Sequence, residues 1–340
     1  MSTRADVAKL AGVSESTVSY AISGVRSIKE ETRNKVFKAI KELDYRPHFA
    51  AGALAGAKAK ALALLFPGGE QGISPVALEY ITGAANCARE QGFHLILWPG
   101  EDTELKEIQS FSKSGMIGGV LLMEIQLEDP RVNFLRNAGV PIALIGRTAD
   151  NKGLNYVDRD FSATTKKAID HLAKLGHKKI AYIQNARIKE KKDLGVDYRN
   201  AKEIKAYAKK AGVEVVEILS HNDAESGREC FIKMRKEHPE VTAVIGLSDL
   251  ATIGFVSAAR EANVNVPKEL SIISINTPAN QVHMTWPPLT TIQLPAHQMG
   301  RAAAELLIQQ LSGEESKLPQ QLFVGDLEVR GTTSKPPTKR

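Results

Sequence analysis

Cysteine is scarce in this chain. Cys87 and Cys230 are the only two in 340 residues, and they lie far apart without metal-ligand spacing. Each falls in a helical-looking stretch and reads as a small buried or half-buried residue. No run approaches the roughly 20 apolar residues of a membrane span. Met1, Ser2 and Thr3 lead directly into a polar helix, so there is no apolar core of a signal peptide. A glycine-rich nucleotide loop is missing too, because Gly115-Met116-Ile117-Gly118-Gly119 leads into a strand rather than out of one. No His, Asp and Glu cluster has metal spacing, and His171 and His177 read as a helix-face residue and a turn residue rather than a catalytic pair. The tail from Gly331 to Arg340 carries no leucine heptad, so a tail-mediated tetramer is not indicated. These absences lead to the expectation of a cytoplasmic protein, free of the membrane, with no cofactor, no metal, no catalytic residues and no enzymatic role.

What the chain does have is an uneven charge. Residues 1–60 hold eleven Lys or Arg against six Asp or Glu, so this segment carries five of the net six positive charges. A basic end on a near-neutral body is the footprint of a nucleic-acid-binding head. Within it, Thr3 to Ile22 reads as two short helices broken at Gly12-Val13-Ser14. Val7, Leu10 and Ala11 form an apolar face on the first helix, Ser14 can cap the second, and Val18 and Ile22 lie one turn apart on its buried side. The outward face is short and polar: Glu15, Ser16, Thr17, Ser19 and Tyr20. A helix-turn-helix sets such a face against base edges in the major groove, although an ordinary helical hairpin has the same local pattern. A third helix is expected from near Glu30, with Ser27 and Glu30 at capping-box spacing and Val36, Ile40 and Leu43 as its apolar stripe. Tyr45-Arg46-Pro47 should end it.

The following segment, His48 to Gly56, is alanine-rich but short. It reads as a linker that turns helical only when something packs against it. From Ala61 the pattern alternates between strands and helices. Strands are expected at 61–66, 93–97, 119–123 and 141–145, and a second set at 179–183, 213–217, 243–246 and 270–274. Second-set helices start near Ser162, Asp197, Ala224 and Asp249. Alternation of this kind implies doubly wound parallel sheets, here in two lobes with no residue-level repeat between them.

With head, linker and two lobes together, the chain resembles the lactose/galactose repressor family of bacterial transcription regulators. The most specific matches run from Asp6-Val7-Ala8 through Ala11-Gly12-Val13-Ser14 to Thr17-Val18-Ser19, then Thr32-Arg33, Tyr45-Arg46-Pro47 and Leu54-Ala55-Gly56. In the body they include Leu175-Gly176-His177, Ser248-Asp249, Val266-Pro267 and Pro288-Leu289-Thr290-Thr291-Ile292. The resemblance implies an α-helical helix-turn-helix head (1–46), a hinge (47–60) and an α/β body like periplasmic binding proteins (61–335). Lobe 1 would comprise 61–158 and 289–319, and lobe 2 160–287 and 320–335. It implies a homodimeric DNA-binding regulator, most simply a repressor, that reads a pseudo-palindromic operator and answers to a small-molecule effector such as a sugar. A secreted solute-binding protein or an α/β enzyme are the competing readings of the body.

The resemblance also assigns residues. Ser16, Thr17 and Tyr20, with Glu15 beside them, are candidates for base contacts. Thr3, Ser14, Ser19, Ser23 and Ser27 look like phosphate contacts, which fix position without reading sequence. Many relatives have Arg where this chain has Tyr20, so their operator sequences do not transfer. His48 stands where Asn is common, and Leu54 matches the leucine that wedges into the minor groove. For the effector the candidates are Asp249, Asp160 and Phe161, then Arg147, Arg199, Asn276 and Trp286. Asp249 also has the plain reading of a carboxylate at a helix start.

Overall fold

The computed structural model describes residues 2–23, 26–45, 59–66, 73–99, 105–186, 194–314, 316 and 319–338. His48 and Leu54, and the charged run at 188–193, lie outside them.

The head is a three-helix unit. Thr3 caps α1 (Arg4–Ala11) through a reciprocal box with Asp6, the Thr3 N–H donating to Asp6 Oδ2 at 2.7 Å. Gly12 ends the helix in the left-handed region at φ +67°, which a side chain would strain, and so allows the tight turn. Ser14 Oγ accepts the Thr17 N–H at 3.2 Å and opens α2 (Glu15–Ser23). The core is Val7, Ala8, Val18, Ala21, Val36 and Ala39, with Ala11, Ile22, Ile40 and Leu43 packed at its edge. Three local expectations fail. The buried stripe of α1 runs through Val7, Ala8 and Ala11, which turns Leu10 to the rim, 47% exposed. The third helix, α3 (Glu30–Glu42), begins at Glu30 itself with Lys29 as an N-cap lacking a side-chain bond. A capping box needs Glu30 at the third helical position, so Ser27 does not cap. The helix also stops at Glu42, with Asp44 at φ +41°, ahead of the expected break.

Two sheets make the body. The chain lays down β1 (Ala61–Phe66), α4 (Pro75–Glu90), β2 (His94–Pro99), α5 (Leu105–Lys113), β3 (Gly119–Leu122), α6 (Pro130–Asn137), β4 (Ile142–Ile145) and β5 (Asn155–Arg159). It then builds α7 (Phe161–Leu175), β6 (Lys179–Asn185), α8 (Gly195–Ala211), β7 (Glu214–Ser220), α9 (Ala224–Glu237), β8 (Ala243–Gly246), α10 (Asp249–Glu261), β9 (Ser271–Ser274) and β10 (Thr290–Gln293). Last come α11 (Ala296–Ser312), β11 (Gln320–Phe323) and β12 (Asp326–Glu328). Sheet order is β11-β5-β4-β3-β1-β2 in one lobe and β12-β10-β9-β8-β6-β7 in the other. Every pairing between these described strands is parallel except β10 with β12. Helices cover both faces, so a strand such as β1 is apolar along its whole length. Leu62 and Leu64 face α4 and α11, while Ala63 and Leu65 face the opposite core with Ile108 and Leu135.

The expected lobe boundaries need correction. Around Asp158–Asp160 the chain passes from β5 of the first sheet to α7, which packs on the second. The other two are shifted. Thr290–Gln293 pairs with β9 and β12 in the second sheet, so the chain crosses at 294–296 rather than 286–289. Gln320–Phe323 pairs with β5 in the first sheet, so the last crossing falls at 324–325. Paired prolines at 287 and 288 suggest a connector, but the β-branched run after them continues the sheet.

The lobes repeat one packing device that the sequence reading did not find. In lobe 1 a Cβ on Gly83 would sit 2.0 Å from the His297 carbonyl oxygen, and one on Gly300 2.0 Å from that of Tyr80. In lobe 2 Gly227 and Gly254 have the same relation to Ala251 and Ala224, at 2.0 and 1.9 Å. The pairs α4/α11 and α9/α10 therefore touch backbone to backbone.

Candidate functional site

The head presents α2 outward. Ser14 Oγ lies 2.8 Å from both Ser16 Oγ and Thr17 Oγ1, so three hydroxyls form one exposed cluster at the helix start. Glu15 is exposed and paired with Arg4 at 3.1 Å. Ser19 and Tyr20 are half-buried further along the helix, and Ser27 is exposed in the loop beyond it. Ser23 is the last residue of α2, but its side chain lies outside the description. Thr3 donates to Asp6 Oδ2 at 2.7 Å. Sequence reasoning missed Arg26, whose guanidinium lies 5.9 Å from the centre of the Tyr20 ring. It brings a cation and planar donors to the position where Tyr20 lacks them. Exposed Lys9, Lys29, Arg33, Lys35, Lys38 and Lys41 surround this unit, as phosphate neutralisation needs.

Between the lobes lies a cavity of about 260 Å³. Its polar walls come from the carboxyl ends of parallel strands, where open α/β sheets bind ligands. Glu124 follows β3, Arg147 follows β4, and Asp158 and Arg159 end β5. From lobe 2, Asn185 ends β6, Asn222 follows β7, Ser248 and Asp249 follow β8, and Asn276 follows β9. Four expected residues are thus brought together: Arg147, Arg199, Asp249 and Asn276.

Asp160, Phe161 and Trp286 are not in that lining. Asp160 accepts the Ala163 N–H at 2.9 Å as the cap of α7. Phe161 is buried, its ring centre 5.9 Å from the Arg147 guanidinium and 5.2 Å from that of Arg159. Both line a neighbouring, more open hollow with Tyr198 and Lys202. Trp286 is 73% exposed and lines neither space. The chain does not change lobes there, so nothing carries Trp286 to the cleft.

Buried charge dominates the cleft. Arg147 Nε and Asp158 Oδ2 form an ion pair at 3.3 Å, and Asp158 Oδ1 accepts the Arg159 N–H at 2.8 Å. Burial pushes the Asp158 carboxyl above its ordinary range, against the pull of that N–H and of the arginines around it. Arg199 donates from Nη1 to the Arg147 carbonyl at 2.9 Å and from Nη2 to the Thr148 carbonyl at 2.8 Å. These bonds tie α8 of lobe 2 to the β4 loop of lobe 1, beside a main-chain bond from Gly195 N to Ile125 O at 2.8 Å. Asp249, 1% exposed, accepts the Leu250 N–H at Oδ1 and has no partner at Oδ2. Burial raises its pKa too, partly offset by backbone donors. An unfilled acceptor on a buried carboxyl suits a ligand hydroxyl.

Asp158, Arg159, Tyr80, Asn222 and Ser248 were not expected at the site. For Asp158 and Arg159 a signal existed, charged residues at the end of a buried strand, but β5 was not recognised as a strand. Among the described residues no group of His, Cys, Asp and Glu could hold a metal ion, and no helix is long and apolar enough to cross a membrane.

Residues 3–48 match the family model described as bacterial regulatory proteins, lacI family, and residues 169–333 match a periplasmic binding protein-like domain. The chain is 28% identical over 340 residues to catabolite control protein A of Staphylococcus xylosus, covering 96% of this chain and 98% of that protein. It is 29% identical over 332 residues to the HTH-type transcriptional regulator CelR of Thermobifida fusca, covering 95% and 96%. Among solved structures, the complex of the transcriptional regulator CelR with cellobiose aligns with TM-score 0.71 at 26% identity, over 98% of this chain and 100% of that one. The lac repressor dimer bound to operator and an anti-inducer aligns with TM-score 0.82 at 22% identity, over 98% and 99%, a likeness of fold.

Proposed function

The chain belongs to the lactose/galactose repressor family, and from that premise we propose that it is a sequence-specific DNA-binding transcription regulator whose operator affinity is set by a small molecule in the interlobe cleft. The observation that carries this reading is the joining, in one chain, of a basic head with an exposed hydroxyl-rich α2 to a two-lobed body with a polar cleft. Ser16, Thr17 and Tyr20 read base edges, with Arg26 held against Tyr20. Thr3, Ser14, Ser19, Ser23 and Ser27 serve position, although the Thr3 and Ser14 hydroxyls already cap helices. His48 and Leu54 belong to the hinge and enter through the resemblance alone. The protein acts in the cytoplasm as a homodimer on a pseudo-palindromic site, as a repressor, and it binds rather than catalyses. The effector is a sugar or related metabolite, whose hydroxyls meet Asp249 and Asn276. Its sense of action follows from which lobe arrangement it binds better.

Selection of duplexes from a random pool should enrich a pseudo-palindrome. Tyr20→Phe should weaken the selected duplex about tenfold, on the scale of one lost base contact, and leave random DNA unchanged. Equal loss on both DNAs would remove Tyr20 from the reading face. Failure to enrich any sequence would contradict the function itself.

A further inference from the structure

The cleft contains one cation that its surroundings leave incompletely answered. Arg159 is 5% exposed and lines the cavity from the end of β5. Its Nη2 reaches a neutral acceptor, Asn276 Oδ1, at a long 3.4 Å, and the neutral Tyr80 hydroxyl also lies against the guanidinium. Its Nε and Nη1 are buried and have no hydrogen-bond acceptor. The Phe161 ring lies 5.2 Å from the guanidinium carbon and holds it in place without taking a hydrogen bond. The other two guanidinium groups nearby are committed, Arg147 to Asp158 and Arg199 to two main-chain carbonyls. Among the described residues, the carboxylate joined to this group by an ion pair or hydrogen bond is Asp158, and it is used by Arg147 and by the Arg159 backbone.

A buried guanidinium with unfilled donors is destabilising, and a neutral hydroxyl would fill the donors without compensating the charge. A carboxylate or phosphate does both, through charge-assisted bonds. The facing wall has the opposite character. Asp249 Oδ2 is buried with no donor on it, and Asp197 and Glu124 also line the cavity. One end of the cleft thus suits an anion, and the other suits hydroxyls that donate.

We propose, building on the effector reading above, that the cleft takes an anionic polyol, a sugar acid or a sugar phosphate, with its anionic group on Arg159 and a hydroxyl donating to Asp249. The plainer alternative is that Asp249, Asp197 and Glu124 balance Arg159 through space and that the ligand is a neutral sugar.

Titration calorimetry on the full chain at fixed ionic strength separates the two. The probes are D-gluconate, D-glucose 6-phosphate, inorganic phosphate, D-glucose and cellobiose. At least one charged sugar probe should bind about tenfold or more tightly than D-glucose. Gluconate against glucose 6-phosphate tells carboxylate from phosphate, and inorganic phosphate tests the anion subsite alone. Arg159→Gln should lose that preference. Asn276→Asp, which sets a carboxylate beside Arg159, should lose it too and covers the case in which Arg159→Gln does not fold. Charged probes no better than glucose, or a preference that survives both substitutions, would overturn the proposal. Binding of cellobiose or glucose without the charged probes would overturn it and leave the effector reading standing. No binding by any probe would overturn it and remove support from the effector reading as well.

Discussion

His177 ties the end of the chain to lobe 2, and its protonation state can be read from its partners. Its Nε2 lies 3.0 Å from the Ser334 carbonyl, which can only accept, so Nε2 carries the proton. Its Nδ1 then accepts from Thr242 Oγ1 at 2.8 Å. The ring is buried, and burial holds its pKa below the free value of 6.5. With a lowered folded value, the unfolded chain takes up the proton first as pH falls. The stability that neutral His177 contributes is therefore complete above pH 6.5 and is lost as pH drops through the lower folded value. Thermal unfolding between pH 8 and pH 5 should show this loss, and His177→Asn should flatten the slope whatever it does to the melting temperature itself. An unchanged slope would show that His177 does not titrate on unfolding in that range. Asp249 and Asp158 act in the opposite sense. Their raised folded values make stability rise as pH falls toward the ordinary value of 3.8.

The helix pairs are set by glycines. In an exposed helix Gly→Ala stabilises by roughly 1 kcal/mol through propensity. At Gly254 the sign should reverse, because the new Cβ would lie 1.9 Å from the backbone oxygen of Ala224. Overpacking of this kind costs about 1–3 kcal/mol. Gly254→Ala should lower the unfolding midpoint in denaturant, and because Asp249 opens the same helix, it should weaken cleft ligands as well. A stabilised variant would mean that α9 and α10 separate freely. Elements were legible in the sequence in proportion to their burial. The run Ala61-Leu62-Ala63-Leu64-Leu65-Phe66 marks a central strand on its own. Asn155-Tyr156-Val157-Asp158-Arg159 mixes charge into a strand because its end lines the cleft, and that mixture hid both the strand and two site residues. The short edge strands Gln320–Phe323 and Asp326–Glu328 alternate between exposed and half-buried positions over too few residues to stand out, and Gln320-Gln321-Leu322-Phe323 shows no polar-apolar alternation at all. In the head, the Gly12 turn and the Ser14 cap were legible because each is one residue with one role. The position of Leu10 depended on where α3 packs, which no local pattern contains.

Across the whole molecule, three crossings join the lobes, and Arg199 and Gly195 latch them together by direct hydrogen bonds. A ligand that bridges Arg159 and Asp249 joins the same two lobes at the strand ends, so it favours the latched arrangement. Two-lobed organisation could be read from the alternating pattern. The crossings at 294–296 and 324–325 could not, since they depend on which sheet a short strand joins. The membership of Arg147, Arg199, Asp249 and Asn276 in one cleft came from family resemblance, whereas Asp158 and Arg159 needed the fold. The most direct test of a cleft that governs the head is the affinity of the full chain for its selected operator, measured by fluorescence anisotropy with and without a saturating compound shown by calorimetry to bind the body. Coupling between the sites should change the dissociation constant by roughly 5- to 150-fold, in either direction. An operator affinity that stays the same while the cleft is filled would contradict it.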